Sequence, residues 1–228
     1  GYTKDNTGEN ISEKNSYFCE LTGLYWAWKN LDEDYIGLVH YRRYFSMHRR
    51  SSFENVLTYE ELRPYLGRIR LFVPKKRNYF IETLYSHYEH THYIEQLDLT
   101  RTIIKEKYPQ YISAFDIVVN RKSAYMFNMA IMDKRLLNEY CTWLFDILFE
   151  LENRIDMPDL NAFQSRFYGR ISEIIFNVWL EYKIENKSLS KYKIMELNCI
   201  HLEKINWYKK GKAFLKAKFC GEKYQGSF

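Results

Sequence analysis

Apolar residues recur every three or four positions in two long segments of the chain, which predicts two amphipathic helices. The first begins after Asp133, whose carboxylate can cap it, and the second spans about 161–184, with Ile171 and Trp179 on its inward face. The shorter helical patterns cover 12–30 with Ser12 as N-cap, 58–64 with capping-box spacing between Thr58 and Glu61, 79–107 and 109–121. The C-terminal half is therefore rich in helix.

Short apolar runs between these helices predict strands. They cover 35–39, 69–73, 125–132 and 193–199. Strands that alternate with helices favour an α/β layer fold.

The composition is that of a globular domain with a sizeable core. Of 228 residues, 46% are hydrophobic and 28% are charged, which excludes a disordered chain. Aromatic residues reach 18%, either for core packing or as stacking platforms for sugars or bases. No signal peptide is predicted, and the uncharged run 123–132 has only 10 residues, too few to span a bilayer. The four cysteines show no paired spacing, which indicates a reducing cytoplasm and no metal cluster.

The excess charge lies in the last residues of the chain. The net charge is +5, and residues 201–228 carry seven lysines against two glutamates, so that residues 1–200 are neutral. We therefore divide the chain into a domain, 1–200, and a basic aromatic tail, 201–228. The tail could lie on an anionic membrane surface, bind RNA phosphates or remain solvated.

The densest candidate chemistry follows the first predicted strand. His40, Tyr41, Arg42 and Arg43 come directly after 35–39. Ligands of open α/β sheets bind outside the carboxyl ends of the strands, and two guanidiniums there could hold a diphosphate. The alternative is that the arginines pair with surface carboxylates.

Two further patterns resemble metal-binding motifs but point less clearly to a site. Asp32 and Asp34 form a D-x-D, but they precede the strand, and a solvated turn explains them better. His87, His90 and His92 cannot converge on one helix face, so ordinary hydrogen-bonding histidines are favoured over zinc. His92 could still line a pocket, together with Asp98.

Polar residues inside apolar segments supply further candidates. Asn128 interrupts the predicted strand 125–132 and is either a hydrogen-bonding node or a ligand contact. Gln164 and Arg166 lie at the entry to the last long helix. Glu173, farther along that helix, is either an ion-paired surface carboxylate or a catalytic group.

Several segments resemble a bacterial family of capsular and exopolysaccharide glycosyltransferases, long catalogued as a domain of unknown function. The most specific is His40-Tyr-Arg-Arg-Tyr-Phe45 after its strand. Further segments that share the likeness are Asp5–Ser12, Tyr17–Thr22, Tyr25–Asn30, Pro74–Tyr79, Tyr88–Asp98, Phe127–Met129, Trp143–Asp146, Gln164–Arg166 and Gly169–Glu173.

The resemblance implies a glycosyltransferase of the A-type fold, a mixed sheet flanked by helices in a single domain. Its substrates would be a nucleoside diphosphate sugar, with UDP favoured, and a lipid-linked oligosaccharide at the inner face of the cell membrane, which residues 203–223 would contact. The sugar could be galactosyl or galactofuranosyl. No nucleic acid is expected, although a non-catalytic nucleic-acid or sugar-binding protein is the alternative.

The resemblance also assigns roles to residues. Arginines would replace the metal that neutralises the leaving diphosphate in other A-type enzymes; no metal is expected, with Mg²⁺ or Mn²⁺ as the alternative. The predicted residues are Glu173 and His92 for catalysis, His40, Tyr41, Arg42, Arg43, Asn128, Asn10 and Ser12 for the donor, and Gln164, Arg166 and Asp98 for the acceptor or pocket. Relatives have an apolar strand ahead of Asp5, so we expect nucleotide binding to be weak if that strand is missing.

Overall fold

A computed structural model describes residues 2–156 and 160–202 of the chain. The strands are β1 (Tyr35–Leu38), β2 (Arg43–Ser46), β3 (Leu71–Pro74), β4 (Arg77–Asn78), β5 (Ser123–Ala124), β6 (Ala130–Asp133) and β7 (Ile194–His201). The helices are α1 (Asn15–Phe18), α2 (Leu21–Asn30), α3 (Tyr59–Leu62), α4 (Leu84–Thr91), α5 (Ile94–Lys107), α6 (Ile112–Val119), α7 (Lys134–Arg154) and α8 (Phe167–Glu185). The tail from residue 203 lies outside the described residues.

The central sheet is mixed and has the strand order β1-β6-β3-β7-β2, while β4 and β5 form a separate two-stranded ribbon. Strands β1, β3 and β7 run in one direction, and β6 and β2 run antiparallel to them. The carboxyl ends of β1, β3 and β7 therefore meet the starts of β6 and β2 at one end of the sheet, which we call the open end. The opposite end, where β1 and β3 begin, we call the closed end.

The main core lies between the sheet and the helices. Helices α7 and α8 supply most of it, and Trp179 is fully buried. A smaller cluster of Phe45, Phe72, Met129 and Leu197 covers part of the sheet. Many of the aromatic residues pack in the core, as the stacked rings of Phe18 and Tyr168 do at a centroid distance of 4.5 Å. The α/β prediction, with a mixed sheet flanked by helices, is confirmed.

Two of the predicted helix caps form as expected. The Asp133 carboxylate accepts a hydrogen bond from the Leu136 amide and caps α7. Thr58 and Glu61 form the capping box of α3. Among the described residues, no helix is long and apolar enough to cross a membrane.

Three helix predictions were too long. The pattern 12–30 breaks at Cys19, whose φ of 56° lies in the left-handed region, and Ser12 does not cap a helix. The pattern 79–107 begins at Leu84 and breaks at His92, and 161–184 begins at Phe167. Both breaks, at Cys19 and at His92, lie at the open end, a tertiary effect that helical spacing cannot reveal.

The strand predicted over 125–132 is largely wrong. Its apolar residues are not paired in the sheet until Ala130, because the backbone turns at Phe127 and Asn128, where φ is 79° and 52°. The apolar run instead turns beneath the open end.

Candidate active site

A cavity of about 240 Å³ lies at the open end. Its walls come from segments that are distant in sequence but end at this place: Cys19, Glu20, His40, Arg43, Arg77, Tyr79, His87, Tyr88, His92, Met126, Phe127, Phe163, Arg166, Arg170, Glu173 and their neighbours. The cavity follows the carboxyl ends of the strands, where a ligand is expected, and its occupation by a ligand stays a prediction.

The turn from β1 to β2 separates the two adjacent arginines. His40 bridges to Arg43, and its Nδ1 accepts a hydrogen bond from the Arg42 amide at 3.2 Å. Arg43 then enters the cavity, whereas the Arg42 guanidinium lies 4.8 Å from the ring centre of Tyr41, which is 68% exposed. The turn at Tyr41 and Arg42 folds the chain back so that His40 and Arg43 form a cross-strand pair. Both line the cavity, and Tyr41 and Arg42 do not. The prediction of a paired Arg42–Arg43 clamp is therefore corrected.

Four guanidiniums line the cavity without a carboxylate partner among the described residues: Arg43, Arg77, Arg166 and Arg170. Three lie over aromatic rings, Arg43 over Phe127 at 4.3 Å, Arg77 over Tyr79 at 4.6 Å and Arg170 over Phe163 at 4.2 Å. The Nε of Arg166 contacts the Cys19 sulfur at 2.9 Å.

Two of these arginines are strongly desolvated. Burial lowers the pKa of Arg43 and of Arg170. Arg43 Nε and Arg170 Nη1 are also buried without a hydrogen-bond partner in the part of the chain that the structure describes. A buried, unpaired cation is costly, and an anionic ligand would remove that cost.

Glu173 faces these cations from α8. Burial, reinforced by the charge of Glu20, raises the pKa of Glu173 to about 7, although Arg77, Arg43 and the backbone N–H of Phe127 act in the opposite direction. Within the described residues Glu173 has no ion pair, which contradicts its interpretation as an ion-paired surface carboxylate. It is a carboxyl of the cavity wall whose raised pKa makes it a candidate proton acceptor.

Asn128 is a hydrogen-bonding node. Its Nδ2 donates to Glu20 Oε1 at 2.7 Å and to the Gly169 carbonyl at 2.9 Å, and its Oδ1 accepts from Ser172 Oγ at 2.7 Å. The residue does not line the cavity, so the structure does not place it against a donor. It ties Glu20 to the start of α8 and so helps to hold the wall that carries Glu173.

The remaining predicted residues divide between the cavity and its surroundings. His92 is buried in the wall, and its Nδ1 is bonded to Gln164 Oε1 at 3.0 Å, which places Gln164 behind the cavity. Arg166 is on the wall. Asp98 is exposed and accepts a hydrogen bond from Tyr85, so it is not brought to the site.

Asn10 and Ser12 also lie outside the cavity. Asn10 Oδ1 accepts hydrogen bonds from the backbone and side chain of Ser12 at 3.2 and 3.0 Å. This pair shapes the local turn and has no position against a donor in the cavity.

The histidine pattern is built on hydrogen bonds. His87 and His90 both place Nδ1 on the Glu82 carboxylate, at 2.7 and 2.8 Å. Burial lowers the pKa of His87, which lines the cavity beside Tyr79. In the described part of the chain no group of three or more His, Cys, Asp or Glu side chains could hold a metal ion.

The sequence analysis did not single out Arg77 or Glu20. Arg77 follows β3 as Arg43 follows β1, so the rule that found His40–Arg43 could also have found it. No local signal marks Glu20, since the break at Cys19 is what brings it to the cavity.

Comparisons with known proteins find a family and a solved structure that are similar to this chain. The family described as "Domain of unknown function (DUF4422)" matches residues 1–186. A similar solved structure is the apo form of the WbbM bifunctional glycosyltransferase, with 30% sequence identity and a TM-score of 0.76. The similarity covers 88% of this chain but 39% of that one, so this chain spans about two fifths of its length. No curated protein matches.

Proposed function

The chain belongs to the DUF4422 family, and from this premise we propose that it is a glycosyltransferase. It would transfer a sugar from a nucleoside diphosphate donor to a hydroxyl group of a saccharide acceptor. The likeness to a bifunctional glycosyltransferase at 30% identity supports this class of reaction.

The observation that carries the proposal is the charge of the cavity. Four guanidiniums face two carboxyls, Glu20 and Glu173, and none of the four is used in an ion pair among the described residues. Guanidinium groups bind phosphate oxygens bidentately, and the charge on a diphosphate grows as it leaves a sugar. Cations already fixed around that position stabilise the transition state more than the ground state.

The A-type fold implies a divalent cation on the diphosphate, but the donor set here does not fit one. The described residues contain no three-ligand group, and Asp32 and Asp34 are exposed at the closed end, with Asp32 paired to Lys134. We therefore derive no step through a metal and assign charge neutralisation to Arg43 and its three partners.

In the proposed reaction, the acceptor hydroxyl oxygen forms a bond to the anomeric carbon as the bond from that carbon to the diphosphate breaks. The electron pair leaves with the diphosphate, and the hydroxyl proton passes to Glu173. A pKa of about 7 suits a base that must be ionised near neutral pH and still accept a proton. His92 is the second candidate for the base.

The finer substrate assignment follows the sequence resemblance. We propose UDP as the nucleotide, galactosyl or galactofuranosyl as the sugar, and a lipid-linked oligosaccharide of capsule or exopolysaccharide synthesis as the acceptor. The reaction would take place at the cytoplasmic face of the cell membrane. The tail segment 203–223 proposed to contact that membrane lies outside the described residues.

A thermal-shift titration with UDP, GDP and CDP, with and without Mn²⁺ or EDTA, tests the donor site. We expect UDP to raise the melting temperature of the wild type, since a ligand bound only to the native state stabilises it. The shift should be insensitive to EDTA and should disappear in Arg43→Ala while it persists in Arg70→Ala, the matched control at the closed end.

Other outcomes would contradict the proposal. A shift that EDTA abolishes contradicts the arginine-based site. A shift without turnover on any nucleotide sugar favours the non-catalytic sugar-binding alternative, and steeply salt-dependent binding of RNA with no nucleotide shift favours the nucleic-acid binder.

A further inference from the structure

The turn between β4 and α4 carries a feature that sugar transfer does not use. Phe80 and Ile81 are adjacent and are 76% and 63% exposed. Among the exposed large apolar residues of the described chain, no other two are neighbours in sequence. We call residues 79–82 the apolar turn.

The apolar turn is firmly held, so its exposure does not come from a loose loop. The Phe80 amide donates to Asn78 Oδ1 at 2.7 Å, and the Ile81 amide donates to the Tyr79 carbonyl at 2.7 Å. The Tyr79 amide donates to the carbonyl of Lys122, the residue before β5, at 2.8 Å.

Phe80 also has a φ of 59°, a left-handed conformation that is unfavourable for a residue with a Cβ. A glycine would adopt it without strain. Strain and exposure at one aromatic residue together indicate a role that lies outside the fold of the isolated chain.

The ribbon that carries the apolar turn is basic. Lys75, Lys76 and Lys122 are exposed, and pairing of β4 with β5 brings their segments together. Within 75–83 and 120–126 the single carboxylate is that of Glu82, which is buried and bonded to two histidines. The apolar turn is therefore the tip of a basic ribbon. Lys122 lies beside the turn, whereas Lys76 lies farther back, with its Nζ 4.9 Å from the ring centre of Tyr125 in a second cavity that Glu181 and Glu196 also line.

We propose that the apolar turn is a membrane-docking element that inserts Phe80 and Ile81 into the headgroup region of an anionic phospholipid bilayer. Lys122 beside the turn and Lys75 on the same ribbon are exposed and complement the charge of the lipid phosphates. A single-stranded nucleic acid could stack on Phe80 but would offer nothing to Ile81, so a bilayer fits both side chains better.

The docking also suits the position of the cavity. Tyr79 lines the cavity wall, so a docked turn brings the cavity next to the bilayer. This last step rests on the proposed function, because only an enzyme with a lipid-linked acceptor benefits from a cavity next to the bilayer. Binding of the bilayer by the apolar turn does not rest on the proposed function.

Flotation of the full chain with vesicles tests the proposal. The probes are vesicles of phosphatidylcholine alone and of an equal mixture with phosphatidylglycerol. We expect Phe80→Gly/Ile81→Ser to partition onto the mixed vesicles at least about tenfold more weakly than the wild type. The matched control is Phe53→Ser, since Phe53 is 78% exposed but lies outside the apolar turn, and it should stay within about twofold.

Three further measurements complete the test: melting temperature, RNA binding and turnover. The melting temperature of the double variant should not fall, because glycine fits a φ of 59°. Wild-type flotation of the double variant overturns the proposal, as does binding of a single-stranded RNA without flotation. Turnover with a soluble acceptor should be unchanged in the double variant; its loss would place the turn in the transfer site and overturn the membrane role.

Discussion

At the closed end of the central sheet Arg70 and Lys134 are paired with carboxylates, whereas at the open end four guanidiniums face a cavity without such a partner among the described residues. Arg70 donates through Nε and Nη2 to Asp133, the Nη2 bond being 3.1 Å long, and Lys134 pairs with Asp32. The hydrogen bond with Asp133 raises the pKa of Arg70, while burial lowers the pKa of Arg43.

This difference shows how one fold separates stability from function. A paired charge is already satisfied and contributes to holding the closed end together, where Asp133 also caps α7. A desolvated and unpaired cation costs stability in the free protein and is compensated when an anion binds. Variants at the closed end should therefore lose stability and keep turnover, whereas variants at the open end should lose turnover and keep stability.

The largest expected effect belongs to Glu173. In Glu173→Gln we expect turnover to fall by about 1,000-fold, since the proposed base can no longer take the acceptor proton. In the wild type, turnover should rise with pH through about 7 as the carboxyl ionises. A pH series of kcat/KM for both proteins checks this, and a Gln variant with full turnover would remove Glu173 from catalysis.

Glu173→Gln should also raise the stability of the folded protein at alkaline pH, although it lowers turnover. The pKa of Glu173 is raised from 4.5 to about 7 in the folded protein, so its stabilising contribution is complete below 4.5 and is lost as the pH rises through 7. At pH 8 the Gln variant should be more stable by on the order of 3 kcal/mol, a difference that vanishes in acid. Denaturant unfolding at both pH values measures it.

The second largest effect is expected for Arg43→Ala. Loss of one fixed donor to the leaving diphosphate should lower kcat by about 100-fold. The free energy of unfolding should change by less than about 1 kcal/mol, because the lost contact with Phe127 is offset by removal of a desolvated cation. Steady-state kinetics and denaturant unfolding on one preparation separate the two, and unchanged kcat would contradict the leaving-group role.

Much of this arrangement follows from local sequence rules. Asp133 before a regular apolar stripe predicts α7, and a basic block after an apolar strand predicts the open end at His40–Arg43. The cavity itself depends on three backbone breaks, at Cys19, at His92 and at Phe127-Asn128, of which two have positive φ in residues other than glycine.

Those breaks explain why the remaining residues escaped prediction. Helical spacing runs through Cys19 and His92 without interruption, and the apolar character of 125–132 is satisfied by burial below the cavity as well as by a strand. The contacts that hold the breaks join distant segments, such as Asn128 with Glu20 and Gly169. Pairing across such distances leaves no mark in a single sequence.

A smaller effect, on stability alone, is expected at the closed end. Arg70 and Asp133 are 26% and 18% exposed, so Arg70→Ala breaks a partly buried pair and should cost about 1–2 kcal/mol. The turnover of the folded protein should stay within about twofold. A double-mutant cycle with Asp133→Asn, which keeps a capping side chain, isolates the pair. A loss of kcat like that of Arg43→Ala would erase the distinction between the two ends.

Of the two adjacent arginines, Arg42 is expected to matter less for turnover than Arg43. Its guanidinium lies over Tyr41 and outside the cavity, so kcat/KM should fall by less than about tenfold, a change in activation free energy under about 1.4 kcal/mol. Kinetics of the two single variants, measured side by side, provide the sharpest test of the geometry. Equal losses would mean that both arginines hold the diphosphate, as the sequence alone suggested, and that the turn after β1 rearranges when the donor binds.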